Sequence, residues 1–353
     1  VSYLIGPVGV LGHPFRVTQE FPVRRVIDDK IVYAFDNKWL YTDLKLVPEE
    51  PIDAVVLWDP SWRRNGEGKG AVHELTRVWE IARSHDAPVV GVYSDWFAGW
   101  YQRIGYVGTE KSIPYVDAII TDPVGAAAMR AGCPLLRVKD PLDTRYRPVV
   151  ELDNFLSYGR MPTLGADPKL VESVLVDHPL ESRSIDVAFI GNAYPGSVMM
   201  RAYHLERVQE TCEQAGYRCV VTHKLTAEEM ETTLLDTRVA FNSSLGSQLN
   251  CRVYEACAAG CLLLTDSHNV ANWSLFSAGV RFTNRQDLRH KIHGLVSASP
   301  EKALTMAVRN VSFALEHTPD KVWAKVLDAV ESAVGGCRET LPLRMAAEGR
   351  TAA

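Results

Sequence analysis

Arg252 and Glu255 stand three residues apart in LNCRVYEACAAGCLLLTD (residues 249–266), and their types and spacing suit a nucleotide. Residues at i and i+3 share one face of a helix. Asn250 is a good N-cap for a helix over residues 251–259, so both charges fall in its first turns. A helix N-terminus carries partial positive charge, and an arginine beside it can hold a phosphate. A carboxylate one turn further in can accept two hydrogen bonds from a vicinal diol such as a ribose. The same spacing also describes an ordinary surface ion pair, worth about a few tenths of a kcal/mol. Spacing alone leaves both readings open.

Other candidates stand where apolar runs end. Gly191 and Asn192 follow the run 186–190 and would let a backbone approach a ligand, or form a plain tight turn. Lys224 closes RCVVTHK and offers positive charge, or is an exposed strand-end lysine. Asn242, Ser243 and Ser244 end the next run, as hydroxyl or phosphate contacts or as turn residues. In the first half, Asp95 follows the run 88–93, placed for an acceptor or as a helix N-cap. His13 lies in GPVGVLGHPF (6–15), as a proton shuttle, an acceptor contact or a solvated loop histidine. The glycines of that loop are not spaced as G-x-G-x-x-G. Arg16, Arg24, Arg25, Arg63, Arg64 and Lys69 read as loop residues, forming a patch for a phosphorylated or nucleic-acid acceptor or simply solvated. Tryptophans 58, 62, 79, 96 and 100 are available for stacking or for core packing.

The elements that must carry these residues alternate. Short apolar, β-branched runs at 2–5, 30–35, 53–58, 88–93 and 118–121 read as strands covered on both faces. Helical spacing at 73–84 and 123–131 falls between them. Periodicity dissolves from about residue 141 to 184, where proline and glycine mark an interdomain connection. Alternation then resumes: strands at 186–190, 218–222, 239–242 and 261–265, helices at 199–215, 226–235 and 251–259. This predicts an α/β chain of two Rossmann-like parallel-sheet domains facing across a cleft, with ligands at the carboxyl ends of the strands. The expected boundaries are 1–150, 151–335 and a weakly ordered tail over 336–353.

Composition is consistent with such a scaffold. At 353 residues, 46% hydrophobic and 23% charged, the chain suits two globular domains. A net charge of −5 gives broad nucleic-acid binding no support. No apolar run approaches the ~20 residues of a membrane helix. The first residues, VSYLIGP, lack a basic leader, and seven cysteines occur with no C-x-x-C pair. Both features fit a cytoplasmic chain with reduced thiols and no metal site.

The stretch GSQLNCRVYEACAAGCLLLTD (246–266) resembles the donor-binding signature of GT-B glycosyltransferases, the spore-maturation (CgeB-like) branch above all. These carry an Arg-x-(Phe/Tyr)-Glu-Ala helix, a glycine, and an apolar strand ending in Thr-Asp. DPLDTRYRP (140–148), IDVAFIGNAYP (185–195), LFSAGVRFTNRQDLRHKI and HTPDKVWAKVLDAV agree in order, so the likeness covers about residues 140–330. It implies that Glu255 faces the cleft and takes the ribose hydroxyls of a nucleotide-diphosphate sugar, while Arg252 meets the diphosphate. The sugar would pass to an acceptor hydroxyl, DNA being one acceptor class, with retention, and with no cofactor beyond the donor substrate. The chain contains no Asp-x-Asp pair, which agrees with metal-free transfer. Many retaining members carry a second glutamate eight positions before the ribose-binding one; here Ser247 stands there. Three alternatives share the architecture: a phage-type enzyme acting on modified DNA bases, a nucleotide-sugar epimerase, and a non-catalytic sugar or nucleotide-binding protein.

Overall fold

A computed structural model of the chain describes residues 1–6, 23–34, 50–58, 78–93, 116–121, 126, 148–152, 161, 164, 167–191, 199–243, 251–266 and 279–347. The chain divides into two compact units, Val1–Phe155 with Val322–Ala353, and Leu156–Lys321. Both are α/β, each built on a largely or wholly parallel sheet.

The first sheet holds seven strands: β1 (Ser2–Gly6), β2 (Val23–Ile27), β3 (Lys30–Ala34), β4 (Ala54–Trp58), β5 (Val89–Tyr93), β6 (Ala118–Thr121) and β7 (Val149–Glu151). Their order is β2-β3-β1-β4-β5-β6-β7. The reversal of direction around β1 is the doubly wound pattern. One pair departs from the expected parallel sheet, because β2 runs antiparallel to β3. Asp28 and Asp29 both take left-handed backbone, at φ 48° and 59°. That is what a two-residue hairpin requires, and aspartate tolerates it better than most residues. Arg24 and Arg25, expected in a loop, therefore belong to an edge strand. VRRVI lacks the continuous apolar run by which the buried strands were read, so the strand was invisible to that criterion.

The C-terminal helix, Pro319–Ala347, joins this unit rather than the second. Val322, Trp323, Val326, Leu327, Val330 and Val334 pack against Tyr3, Ile5, Val56, Val90 and Ile120 of the sheet. The tail expected to loosen at residue 336 instead continues as helix. Within that helix a Cβ on Gly336 would lie 2.8 Å from Pro148 Cγ. Its missing side chain is what lets the helix approach Pro148 so closely.

The second sheet is wholly parallel, in the order β12-β11-β10-β8-β9. Its strands are β8 (Ile185–Ile190), β9 (Cys219–Thr222), β10 (Thr237–Asn242), β11 (Leu262–Asp266) and β12 (Val280–Phe282). Its helices are α1 (Pro168–Asp177), α2 (Met199–Ala215), α3 (Ala227–Leu235), α4 (Cys251–Ala258), α5 (Arg285–Val296) and α6 (Pro300–Glu316). One face packs α1, α3 and α4 on Ile190, Ala240 and Leu263. The other packs α2 and α5 on Phe189, Phe241 and Leu264. Alternation along β8 therefore sends Phe189 and Ile190 to opposite cores.

Helix α1 lies inside the stretch read as connection. Asp167 caps it, accepting from Lys169 N at 2.9 Å, and Pro168 starts it. Only Val171 and Val174 of its ten residues are buried, too thin a stripe to stand out as periodicity. Among the described residues no helix is long and apolar enough to cross a membrane.

Candidate functional site

From β8 the chain sends β9 to one side and β10 to the other. The carboxyl end of β8 is thus the topological switch point of this sheet, the place where open α/β sheets bind ligands. Gly191, just past that end, donates its N–H to Thr222 O at 2.9 Å, which joins the ends of β8 and β9.

Arg252 reaches this point from α4. Its Nε donates to Ile190 O at 2.9 Å, and its Nη1 lies 2.6 Å from Glu255 Oε2 and also meets Met230 Sδ of α3. The side chain of Arg252 is 12% exposed and that of Glu255 not at all. The pair is therefore no surface ion pair, and the Glu255 carboxylate is buried beside Arg252. The cause is local packing. Glu255 sits one turn inside the helix, on the stretch Val253–Cys261 that is buried throughout, with Arg252 as its counter-charge. Gly260 closes α4 at φ +67°, as its position suggested. A Cβ there would also lie 2.6 Å from Leu175 Cδ2, so the turn needs glycine twice over.

A second set of polar groups meets the same sheet edge from the opposite face. Helix α2 turns Arg201, His204, Leu205, Val208 and Cys212 inward on one stripe. Arg201 donates to Ser243 O from Nε at 3.0 Å and from Nη2 at 2.6 Å. Ser243 Oγ lies 3.3 Å from Asp266 Oδ2 and 3.4 Å from His204 Nδ1. Beside them, Asn242 Nδ2 donates to Thr265 Oγ1 at 3.1 Å. Burial lowers the Arg201 guanidinium from its ordinary value, and the Asp266 carboxylate opposes that shift. The guanidinium stands 5.7 Å from the Phe189 ring centre, and that ring lies 3.1 Å from where a Cβ of Gly191 would be.

Of the residues expected from the sequence, Gly191, Asn242, Ser243, Arg252 and Glu255 gather at the carboxyl edge of this one sheet. Lys224 is exposed just beyond β9, with φ at 58°, a left-handed backbone that a lysine rarely adopts. Asn242 and Ser243 are each only 1% exposed and engaged within the protein, so neither is an open turn residue. His13, Asp95, Asn192, Ser244, Ser247 and Asn250 lie outside the described residues, as do Arg16, Arg63, Arg64 and Lys69. Trp79 is partly exposed beneath Arg83, whose guanidinium lies 4.6 Å from the ring centre. The six described cysteines are free thiols. Burial pushes Cys261 up to about 11 despite the nearby Arg183, and raises Cys257 well above its ordinary value, so neither thiol on this face is primed as a nucleophile.

Arg201, His204 and Asp266 were not singled out from the sequence. The usable signal was a charged residue on the apolar stripe of α2, four positions before Leu205. Such a residue is expensive to bury and is seldom there by accident.

Residues 173–328, which span this whole site, match the family described as glycosyl transferase-like. No curated protein matches the sequence. Among solved structures, the fold is similar to that of a sucrose-phosphate synthase from Thermosynechococcus elongatus, at 10% identity and TM-score 0.51, covering 94% of this chain and 99% of that one. It is also similar to the N-terminal domain of a Candida albicans trehalose-6-phosphate phosphatase, at 10% identity and TM-score 0.51, covering 80% and 71%. An alpha-glucosyltransferase solved with UDP-glucose and DNA containing an abasic site aligns at 11% identity and TM-score 0.49, covering 81% and 82%. The second unit is thus glycosyl transferase-like in sequence, and the chain shares its α/β fold with sugar-phosphate enzymes.

Proposed function

We propose that this chain is a glycosyltransferase of GT-B type, near the CgeB-like branch, that binds a nucleotide-diphosphate sugar at the carboxyl edge of its second sheet. The observation that carries this reading is the buried Arg252–Glu255 pair tied to Ile190 O at the switch point. It lies within a segment that matches glycosyl transferases.

In the transfer, the bond from the anomeric carbon to the diphosphate oxygen breaks as the acceptor oxygen bonds to that carbon and loses its proton to Asp95 or His13. Charge grows on the departing diphosphate. Arg252 and the positive end of α4 are placed to stabilise it without a metal ion. Arg252 neutralises Glu255 across a 2.6 Å contact. When the diphosphate competes for the guanidinium, the carboxylate is released to accept two ribose hydroxyls. Retention of configuration follows the family resemblance, and Asp95 and His13 are proposed to serve the acceptor hydroxyl.

Calorimetric titration with UDP, GDP, ADP and dTDP tests the donor site. One of them should bind, and Arg252→Lys, which keeps charge but loses the planar fork, should bind it about tenfold more weakly. No binding by the wild-type chain sinks the reading. Activity that disappears with EDTA and returns with manganese contradicts the metal-free route. Asp95→Asn or His13→Ala should slow transfer with nucleotide affinity unchanged, and parent rates in both remove the acceptor assignment.

A further inference from the structure

The donor-site reading accounts for Arg252 but leaves a buried arginine on the opposite face of the same sheet edge. Arg201 is only 7% exposed, and its guanidinium donates twice to one backbone carbonyl, that of Ser243. A packing role alone would be met more cheaply by an apolar side chain, since burying a guanidinium costs several kcal/mol before its bonds form. What the guanidinium does is hold three neighbouring strand ends together. It grips Ser243 O at the end of β10. It is in electrostatic reach of Asp266 at the end of β11. It also covers the Phe189 ring, whose edge limits the space at Gly191 beyond β8. Ser243 is held from its side chain as well, by Asp266 and His204, and the His204 ring is fixed edge-on to Phe282 at 4.9 Å.

We infer that Arg201 is a positioning residue for the nucleotide: by clamping the Ser243 carbonyl and the Phe189 ring, it fixes the spacing of the β8 and β10 carboxyl ends between which the donor binds. The inference rests on the donor-site reading. It adds that half of the site's geometry is set from the α2 face, by a residue that does not itself touch the donor.

The test uses the 353-residue chain and whichever of UDP, GDP, ADP and dTDP binds in the screen above. Arg201→Met keeps the apolar stem and removes the clamp, and should weaken binding about tenfold, the loss typical of a charged hydrogen-bonding group. Arg201→Lys restores the charge and one donor, and should recover part of that loss. Leu205→Ala, one turn along the same helix and within the core, destabilises α2 without touching Ser243. It should leave affinity unchanged when measured well below its melting temperature. Equal losses for Leu205→Ala and Arg201→Met mean that Arg201 is merely structural, and the inference is overturned. So does wild-type affinity in both Arg201 variants alongside weakened binding in Arg252→Lys, which leaves the donor-site reading intact. If the wild-type chain binds no nucleotide, the reading fails and the inference falls with it. Hydrogen exchange on the wild-type chain needs no variant to fold. Saturating nucleotide should protect Phe189–Gly191 and Phe241–Ser243 together, and protection confined to the first segment overturns the inference.

Discussion

Two arginines approach the end of β8 from opposite faces of one sheet, and they differ in what surrounds them. Arg252 stands on α4 beside a carboxylate of its own helix, 2.6 Å away, and reaches one carbonyl of β8. Arg201 stands on α2, and reaches one carbonyl just beyond β10, that of Ser243, twice over. The first is a local device, because both its charges come from one turn of helix and would meet wherever that helix formed. The second is assembled from α2, β10 and β11, and exists only once those elements have packed. The contrast teaches that a charged residue near a switch point can be fitted for contact or for alignment. The origin of its partners tells the two apart.

The strongest way to break the comparison is to remove one half of the local device. Arg252→Met leaves Glu255 buried without its counter-charge and should cost about 3–5 kcal/mol of stability. The double variant Arg252→Met/Glu255→Gln should recover part of this, as read by denaturant unfolding. A double variant as unstable as the sum of the singles would show that the pair is not coupled.

Gly260→Ala attacks the α4 face from its far end. It combines a left-handed backbone with a 2.6 Å approach to Leu175, and should cost on the order of 1–3 kcal/mol. Amide protection should fall in α4 before it falls in α2. Uniform loss across both helices would mean that the two faces unfold as one and do not act as separate supports.

Thr226 caps α3, the helix whose Met230 touches Arg252. Its Oγ1 accepts from Glu229 N, and Glu229 Oε2 accepts from Thr226 N at 2.7 Å. Thr226→Ala should cost roughly 1 kcal/mol of stability, with nucleotide affinity following only as far as Met230 shifts. Affinity lost beyond Arg252→Lys would place Thr226 in the site itself. Combining Arg201→Lys with Arg252→Lys sharpens the comparison further. Because both act on the end of β8, Arg252 through Ile190 O and Arg201 through the Phe189 ring, their affinity losses should depart from simple addition by more than about 0.5 kcal/mol.

The smallest effect belongs to the amino-terminal edge of the same strand. Burial raises the Asp236 carboxyl, but bonds from Ser184 N at 2.7 Å and Ser184 Oγ, with the charges of Arg218 and Arg183, outweigh it and hold the group below the ordinary range. A depressed folded value adds stability above the ordinary aspartate range, and this is lost as pH falls below that range through the depressed value. Asp236→Asn should flatten that acid loss and leave nucleotide affinity untouched. Altered affinity would mean that the two ends of β10 are not independent.

Much of the second unit was legible residue by residue. The helix over 199–215 and the strands ending at Ile190, Thr222 and Asn242 lie where periodicity put them, because buried parallel strands are short apolar runs and amphipathic helices repeat at 3.6 residues. The edge strand β2, helix α1 and the place of the C-terminal helix were not: β2 lacks a continuous apolar run, α1 buries only two of its residues, and the C-terminal helix packs on strands distant in the chain. Gly336 illustrates this best, since it stands inside the C-terminal helix and its missing side chain serves Pro148 in the fold.

The sequence by itself determined the alternating α/β order, the glycine that ends α4, and the Arg252–Glu255 juxtaposition, because each depends on residues within one or two helical turns. Only the tertiary structure decided that this pair is buried, that the C-terminal helix joins the first sheet, and that Arg201, His204 and Asp266 converge on Ser243. Burial and convergence depend on which surfaces meet across long stretches of chain, and no local spacing encodes that.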